Sequence, residues 1–151
     1  MLRLALDAYV FAIVHILRVC VRRRCVRAGA SSLDKPLARI AKQSSTAVHR
    51  RLEEYDAKRI FKDILEGLKY CHSRCITHRD IKLENLLLDD NGVVKMIDFG
   101  FSTCVPNDKK IKIFCGTPSY MGPEIVRRTE YCGPPADIWA LGVLLFTCLS
   151  G

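Results

Sequence analysis

From Glu53 onward the apolar residues fall into a helical rhythm. Tyr55, Ile60, Phe61, Ile64, Leu65, Leu68 and Cys71 recur at helical spacing. That predicts one apolar stripe on a helix of roughly twenty residues. The rhythm then breaks, and Ile76–Glu84 reads as an irregular loop. Leu86–Leu88 and Val93–Ile97 are short apolar runs on either side of Asp89-Asp90-Asn91-Gly92. Asn-Gly between such runs signals a β-hairpin. Residues 101–121 carry Pro106 and Pro118 and read as a long loop. Ala136–Leu149 is almost wholly apolar, which predicts a helix buried all round.

The first third is less regular. Residues 31–50 combine serine clusters with a proline and read as a linker, with one short helix starting at Pro36. Ahead of them, the uncharged run Ala8–Leu17 is followed by Arg18, Arg22, Arg23, Arg24 and Arg27. A membrane span needs about 20 apolar residues, so a spanning helix is not expected there. A secretory signal carries its charges before the apolar run, although Ala28-Gly29-Ala30 resembles a cleavage site. An organelle transit sequence, a peripheral amphipathic helix and a leader foreign to the native protein stay open as readings of residues 1–30.

Charge sharpens this division. Residues 1–50 carry ten Arg/Lys against two Asp, whereas residues 51–151 carry fourteen of each sign. The net charge of +8 therefore belongs to the first third alone, and the remainder gives no reason to expect nucleic acid as a partner. With 49% hydrophobic residues in 151, the chain can bury a real core. The eight cysteines include no C-x-x-C pair. Cys71 and Cys75 are expected on one helix face, and Cys20 and Cys25 lack histidine partners. Reduced thiols in a cytoplasmic protein are therefore expected, rather than zinc or disulfides.

The chemistry concentrates in ITHRDIKLENLLLDDNGVVKMIDFG, residues 76–100. Asn85 follows Asp80 by five residues and Asp98 follows it by eighteen. A lone loop aspartate is usually a turn former. Folding the hairpin back, however, brings Asp98 toward Asn85 and offers oxygen ligands for Mg²⁺. Asp80 is then free to orient an attacking hydroxyl. Lys82, between Asp80 and Glu84, is placed to meet a phosphate.

These residues carry a resemblance. His78-Arg79-Asp80, Lys82, Asn85, Asp98-Phe99-Gly100, Gly116-Thr117-Pro118-Ser119-Tyr120, Gly122-Pro123-Glu124 and Asp137-Ile138-Trp139 together resemble the eukaryotic protein kinases. Lys82 is similar to the serine/threonine type. DFGFS, FCGTPSY and YCGPPADIWALGVLLFTCLSG are similar to the calcium/calmodulin-dependent and AMP-activated kinase group. The resemblance implies a mainly α (α+β) fold: a kinase-like carboxy-terminal lobe fragment with a short β-hairpin, lacking the amino-terminal lobe. It divides the chain into an unassigned basic segment and linker, 1–50, and a partial catalytic domain, 51–151.

It also implies roles. Asp80 would be the catalytic base and Lys82 would contact the transferring phosphoryl group. Asn85 and Asp98 would hold Mg²⁺, and Leu87 would lie under the adenine of ATP. Glu84 would receive a substrate arginine, and Thr117 would seat the Ser or Thr hydroxyl of a protein substrate. Asp137 would bind the catalytic-loop backbone, with Trp139 and Phe99 in the core.

The departures from the family pattern set further expectations. Residues 1–50 show no glycine-rich phosphate loop and no strand lysine for ATP. The family continues past the position of Gly151, so Glu124 would lack its arginine and the 136–149 helix would be partly bare. Related kinases often carry threonine where Ile113 stands, and Arg79 would ordinarily bind its phosphate. Activation by phosphorylation at position 113 is therefore not expected, with Ser102 and Thr103 as alternative acceptors. Three functions follow as expectations: a kinase of which this is a part, a non-catalytic protein-binding module, and a chain whose basic start docks on anionic lipid.

Overall fold

The computed structural model describes residues 35–36 and 52–150. Its elements in order are β1 (Lys35–Pro36), α1 (Glu54–Ser73), β2 (Ile76–Thr77), β3 (Leu86–Leu88), β4 (Val94–Met96), β5 (Thr103–Cys104), α2 (Pro123–Val126) and α3 (Gly133–Ser150). Single 3₁₀ turns cover Leu83–Asn85, Phe99–Phe101 and Pro118–Tyr120. The readings of residues 1–34 and 37–51 lie outside the described residues. Pro36 does not open a helix: it pairs with Leu87 in a short antiparallel strand contact. That placement suits proline, which lacks the N–H a central strand would need.

α1 begins with Glu54 and Asp56 in its first turn and ends with His72 in its last, as the helix dipole favours. Its buried residues are Ala57, Ile60, Phe61, Ile64, Gly67, Leu68 and Cys71. Two residues of the predicted stripe fall off it. Tyr55 is 79% exposed and Leu65 is 46% exposed. At about 100° per residue, Tyr55 lies nearly opposite the buried face and Leu65 at its edge. Cys75 also leaves the expected face, because the helix ends at Ser73 and Cys75 takes a left-handed turn with φ 59°. All six described cysteines are free thiols.

β3 and β4 form the expected hairpin, with Leu86 opposite Met96 and Leu88 opposite Val94. Asp89 closes the turn, its carboxylate accepting from the N–H groups of Asn91 and Val93. Ile76–Thr77 is not loop but strand: β2 pairs with β5, Ile76 opposite Cys104. Two-residue strands are too short for periodicity to reveal.

The core is one cluster joining α1, β2, β3, β4 and α3. It includes Ile60, Ile64, Leu68, Ile76, Ile81, Leu86, Val94, Met96 and Leu144. Each such side chain contributes about 1.5–3 kcal/mol on burial. A smaller cluster of Ile111, Ile125, Tyr131 and Ala136 anchors the long 105–131 segment.

α3 differs from the expectation of burial all round. Gly133, Ala136, Asp137, Ala140, Leu141, Leu144 and Cys148 are buried. Ile138 and Trp139 are each half exposed, and Phe146 is 72% exposed. The other expectation, of a partly bare helix, describes it better. By length and composition α3 is also the one helix among the described residues able to cross a membrane, yet one face of it is core.

Candidate active site

The site is built where α3, the loop after β2 and the segment before α2 meet. Gly133 lets α3 approach closely, since a Cβ there would collide with the Thr77 side chain. Four residues later Asp137, wholly buried, accepts three hydrogen bonds. Its Oδ2 receives the His78 N–H at 3.0 Å and faces His72 Nε2 at 2.8 Å. Its Oδ1 receives the Arg79 N–H at 2.8 Å. These bonds hold Arg79 in a left-handed conformation, φ 68°, that costs a non-glycine residue about 1–2 kcal/mol.

His78 is also fully buried. Burial pushes its imidazole below the ordinary range, against the opposing pull of Asp137. A neutral ring fits its partners: one nitrogen faces the Ile97 carbonyl at 3.1 Å, and Nδ1 accepts the Asp80 N–H at 3.3 Å. Phe99 packs tilted on this ring at 4.6 Å and is partly buried against the core.

Asp80 is the centre. Its Oδ1 accepts from the Thr117 hydroxyl at 2.7 Å. Its Oδ2 accepts from Lys82 Nζ at 2.8 Å and from Asn85 Nδ2 at 3.0 Å. Lys82 Nζ also donates to Thr117 at 2.9 Å, and Asn85 Nδ2 to the Asp80 carbonyl at 2.9 Å. Burial alone would raise the Asp80 carboxyl. The donors Lys82 and Thr117, with the Lys82 charge and Asn85, outweigh it and hold the carboxyl below its usual range. Lys82 is correspondingly raised, first through its bond to Asp80. Thr117 reaches Asp80 because Gly116, at φ 124°, lies against the loop after β2. A Cβ at 116 would sit 2.6 Å from the Arg79 carbonyl.

The hairpin ties the last two polar groups together. Ile97 N–H donates to the Asn85 carbonyl at 2.9 Å, which sets Asp98 next in line. Asp98 is left-handed at φ 59°, exposed, and accepts the Gly100 N–H through Oδ1 at 3.2 Å. Its second oxygen and the Asn85 Oδ1 are two oxygen donors of the kind Mg²⁺ takes with water and phosphate. Leu87 is buried in β3, outside the main core to which Leu86 and Leu88 belong. Glu84 is exposed on the turn beside Lys82.

Of the seven candidate residues, Asp80, Lys82, Asn85 and Thr117 are bonded in one network. Asp98 is linked to it through Ile97, whereas Leu87 and Glu84 make no bond to it. Trp139, expected in the core, is half exposed. Ser102 is buried, its hydroxyl donating to the Phe99 carbonyl at 2.7 Å, which leaves it unavailable as an acceptor. Among the described residues Glu124 has no ion pair. His72 and Tyr131 escaped the sequence reading. His72 sits one turn-length ahead of the loop on α1 and could have been suspected from that. Tyr131 carries no signal, because only the fold brings it beside residue 111.

A family profile described as protein kinase domain matches residues 31–151. The chain belongs to the protein kinase family. Among relatives of this kinase chain, NUAK family SNF1-like kinase 1 of Homo sapiens is 49% identical over 102 residues, covering 68% of this chain and 15% of that protein. The serine/threonine-protein kinase SIK3 homolog of Danio rerio is 48% identical over 103 residues, covering 68% and 9%. CBL-interacting protein kinase 25 of Oryza sativa subsp. japonica is 39% identical over 137 residues, covering 89% and 26%. The kinase chain thus spans between about a tenth and a quarter of the relatives it matches, and it groups with serine/threonine kinases of the AMP-activated kind.

Proposed function

We propose that the protein containing this chain transfers the γ-phosphoryl group of MgATP to a serine or threonine hydroxyl of a protein, in the cytoplasm. The observation that carries the reading is the convergence on Asp80 of Lys82, Thr117 and Asn85 at 2.7–3.0 Å. Phosphoryl transfer leaves little covalent chemistry to the protein, so positioned charge and orientation carry the rate.

Asp80 is the base: its carboxylate stays ionised and can accept a hydroxyl proton. The Thr117 hydroxyl donates to Asp80 in the way an acceptor serine or threonine would, which supports this role. Lys82 places a cation between Asp80 and the transferring phosphoryl oxygens. Asn85 and Asp98 are the protein ligands for Mg²⁺, which neutralises phosphate charge when bound. Leu87 lies under the adenine, and exposed Glu84 meets a basic residue of the substrate. Residues 51–151 supply the carboxy-terminal lobe of the catalytic domain in this reading.

Phosphoamino-acid analysis tests it. The full-length protein, given MgATP and peptides with serine, threonine and tyrosine acceptors, is expected to label serine and threonine only. Label on tyrosine, or no Mg²⁺-dependent label at all, would overturn the reading.

A further inference from the structure

The segment leading to Thr117 is pinned from two sides onto one carbonyl. Tyr131, 2% exposed, donates its hydroxyl to the Ile113 carbonyl at 3.1 Å. Arg79 donates through Nη1 to the same oxygen, at a longer 3.4 Å, and through Nε to the Phe101 carbonyl at 2.6 Å. Two residues earlier, Ile111 and Tyr131 exchange both backbone hydrogen bonds, at 2.7 and 3.2 Å. Phe114 lies against the Tyr131 ring at 6.2 Å.

The charge accounting around Arg79 is unusual. Among the described residues its guanidinium meets no carboxylate, and backbone carbonyls take its place. The side chain at 113 is isoleucine, 67% exposed, with no group that a phosphate could join. Arg79 is fixed at its own backbone by Asp137, so its side chain ties Phe101 and Ile113 to a rigid point. A carbonyl with two lone pairs can accept both donors at once.

We infer that Tyr131 is a positioning residue. With Arg79 it forms a clamp on the Ile113 carbonyl that holds residues 109–117, and so Thr117, in the substrate-accepting arrangement without any phosphate on that segment. The inference rests on the proposed kinase reading for its consequence, but the clamp itself is a statement about order in the segment. Without the clamp, residues 111–113 keep the paired backbone bonds of Ile111 with Tyr131 and the packing of Ile111, but residue 113 loses its own tether and Thr117 is held less firmly against Asp80.

The test combines hydrogen exchange with kinetics on the full-length protein. Phosphatase treatment is expected to leave exchange across 109–116 and the peptide KM unchanged within about twofold. Tyr131→Phe deletes one hydroxyl and is expected to speed exchange there about fivefold, the ratio that one net hydrogen bond gives. It should raise the peptide KM by a similar factor while the KM for ATP stays put, a split that general destabilisation would not produce. Ile113→Glu, on an exposed side chain, keeps the proposal testable should Tyr131→Phe fail to fold. With the carbonyl clamp already in place, an acid at 113 is expected to gain nothing. Faster exchange after phosphatase, unchanged exchange in Tyr131→Phe, or a gain of fivefold or more from Ile113→Glu would each overturn the clamp. Absence of all phosphotransfer would count against the kinase reading, while the exchange data would still decide the clamp.

Discussion

The two ends of α3 teach opposite lessons about burial. At its start Asp137 is charged yet wholly buried, with three hydrogen bonds to His72, His78 and Arg79. At its end Phe146 is the most apolar kind of residue, yet 72% exposed. Leu145 and Leu149 there, with Leu52, Phe61 and Leu65, line an open apolar groove between α1 and α3. Position in the fold decides burial, and hydropathy decides only what that burial costs. A buried carboxylate is tolerable when both its oxygens are hydrogen-bonded, and it then organises the backbone around it.

Removing the organising group should have the largest effect on stability. Asp137→Ala leaves the buried His78 N–H and the partly buried Arg79 N–H without their acceptor. A loss of about 2–6 kcal/mol is expected, about 1–3 for each of the two donors left unsatisfied. Urea unfolding would read it, and a loss under about 1 kcal/mol would mean the catalytic loop holds its shape unaided.

Acid should expose the same asymmetry more gently. His78 has a depressed pKa in the folded state, so below about pH 6.5 the unfolded chain binds more protons than the folded one. Its contribution to stability is therefore full above that pH and declines as pH falls below it. The Asp80 carboxyl, also depressed, adds a second loss only below about pH 3.8. His78→Gln should flatten the stability profile as pH falls below about 6.5. A slope that survives the substitution would place the acid sensitivity elsewhere.

The far end should respond least. Phe146→Ser removes an exposed ring, and a change within about 0.5 kcal/mol is expected, together with better solubility. A loss of several kcal/mol in the full-length protein would show that the ring is covered there.

How far the sequence revealed this molecule depended on the length of the signal. α1 spans twenty residues, and five of its buried positions were readable from spacing alone. Tyr55 stands five residues before Ile60, and a step of five turns a side chain away from the stripe. The Asn91-Gly92 turn announced the hairpin because Gly92 must take φ 71°. β2 and β5 were invisible because two residues carry no period. α3 was misjudged because its outer face is as apolar as its inner one. Within the site, Asp80, Lys82, Asn85 and Asp98 lie inside nineteen residues, close enough for spacing to suggest a cluster. The bond from Thr117 to Asp80 spans thirty-seven residues, so the family pattern could nominate Thr117 but not its partner. Tyr131 had neither aid.

The measurement that bears most directly on the central claim is transfer of labelled γ-phosphate from MgATP to a serine peptide, comparing the full-length protein with its Asp80→Asn variant. The amide keeps the size of the side chain and loses the acceptor for the hydroxyl proton. The account predicts a rate lower by about 10²–10⁴, the range for a positioned general base, with nucleotide binding retained. Near-equal turnover by the two proteins would contradict it.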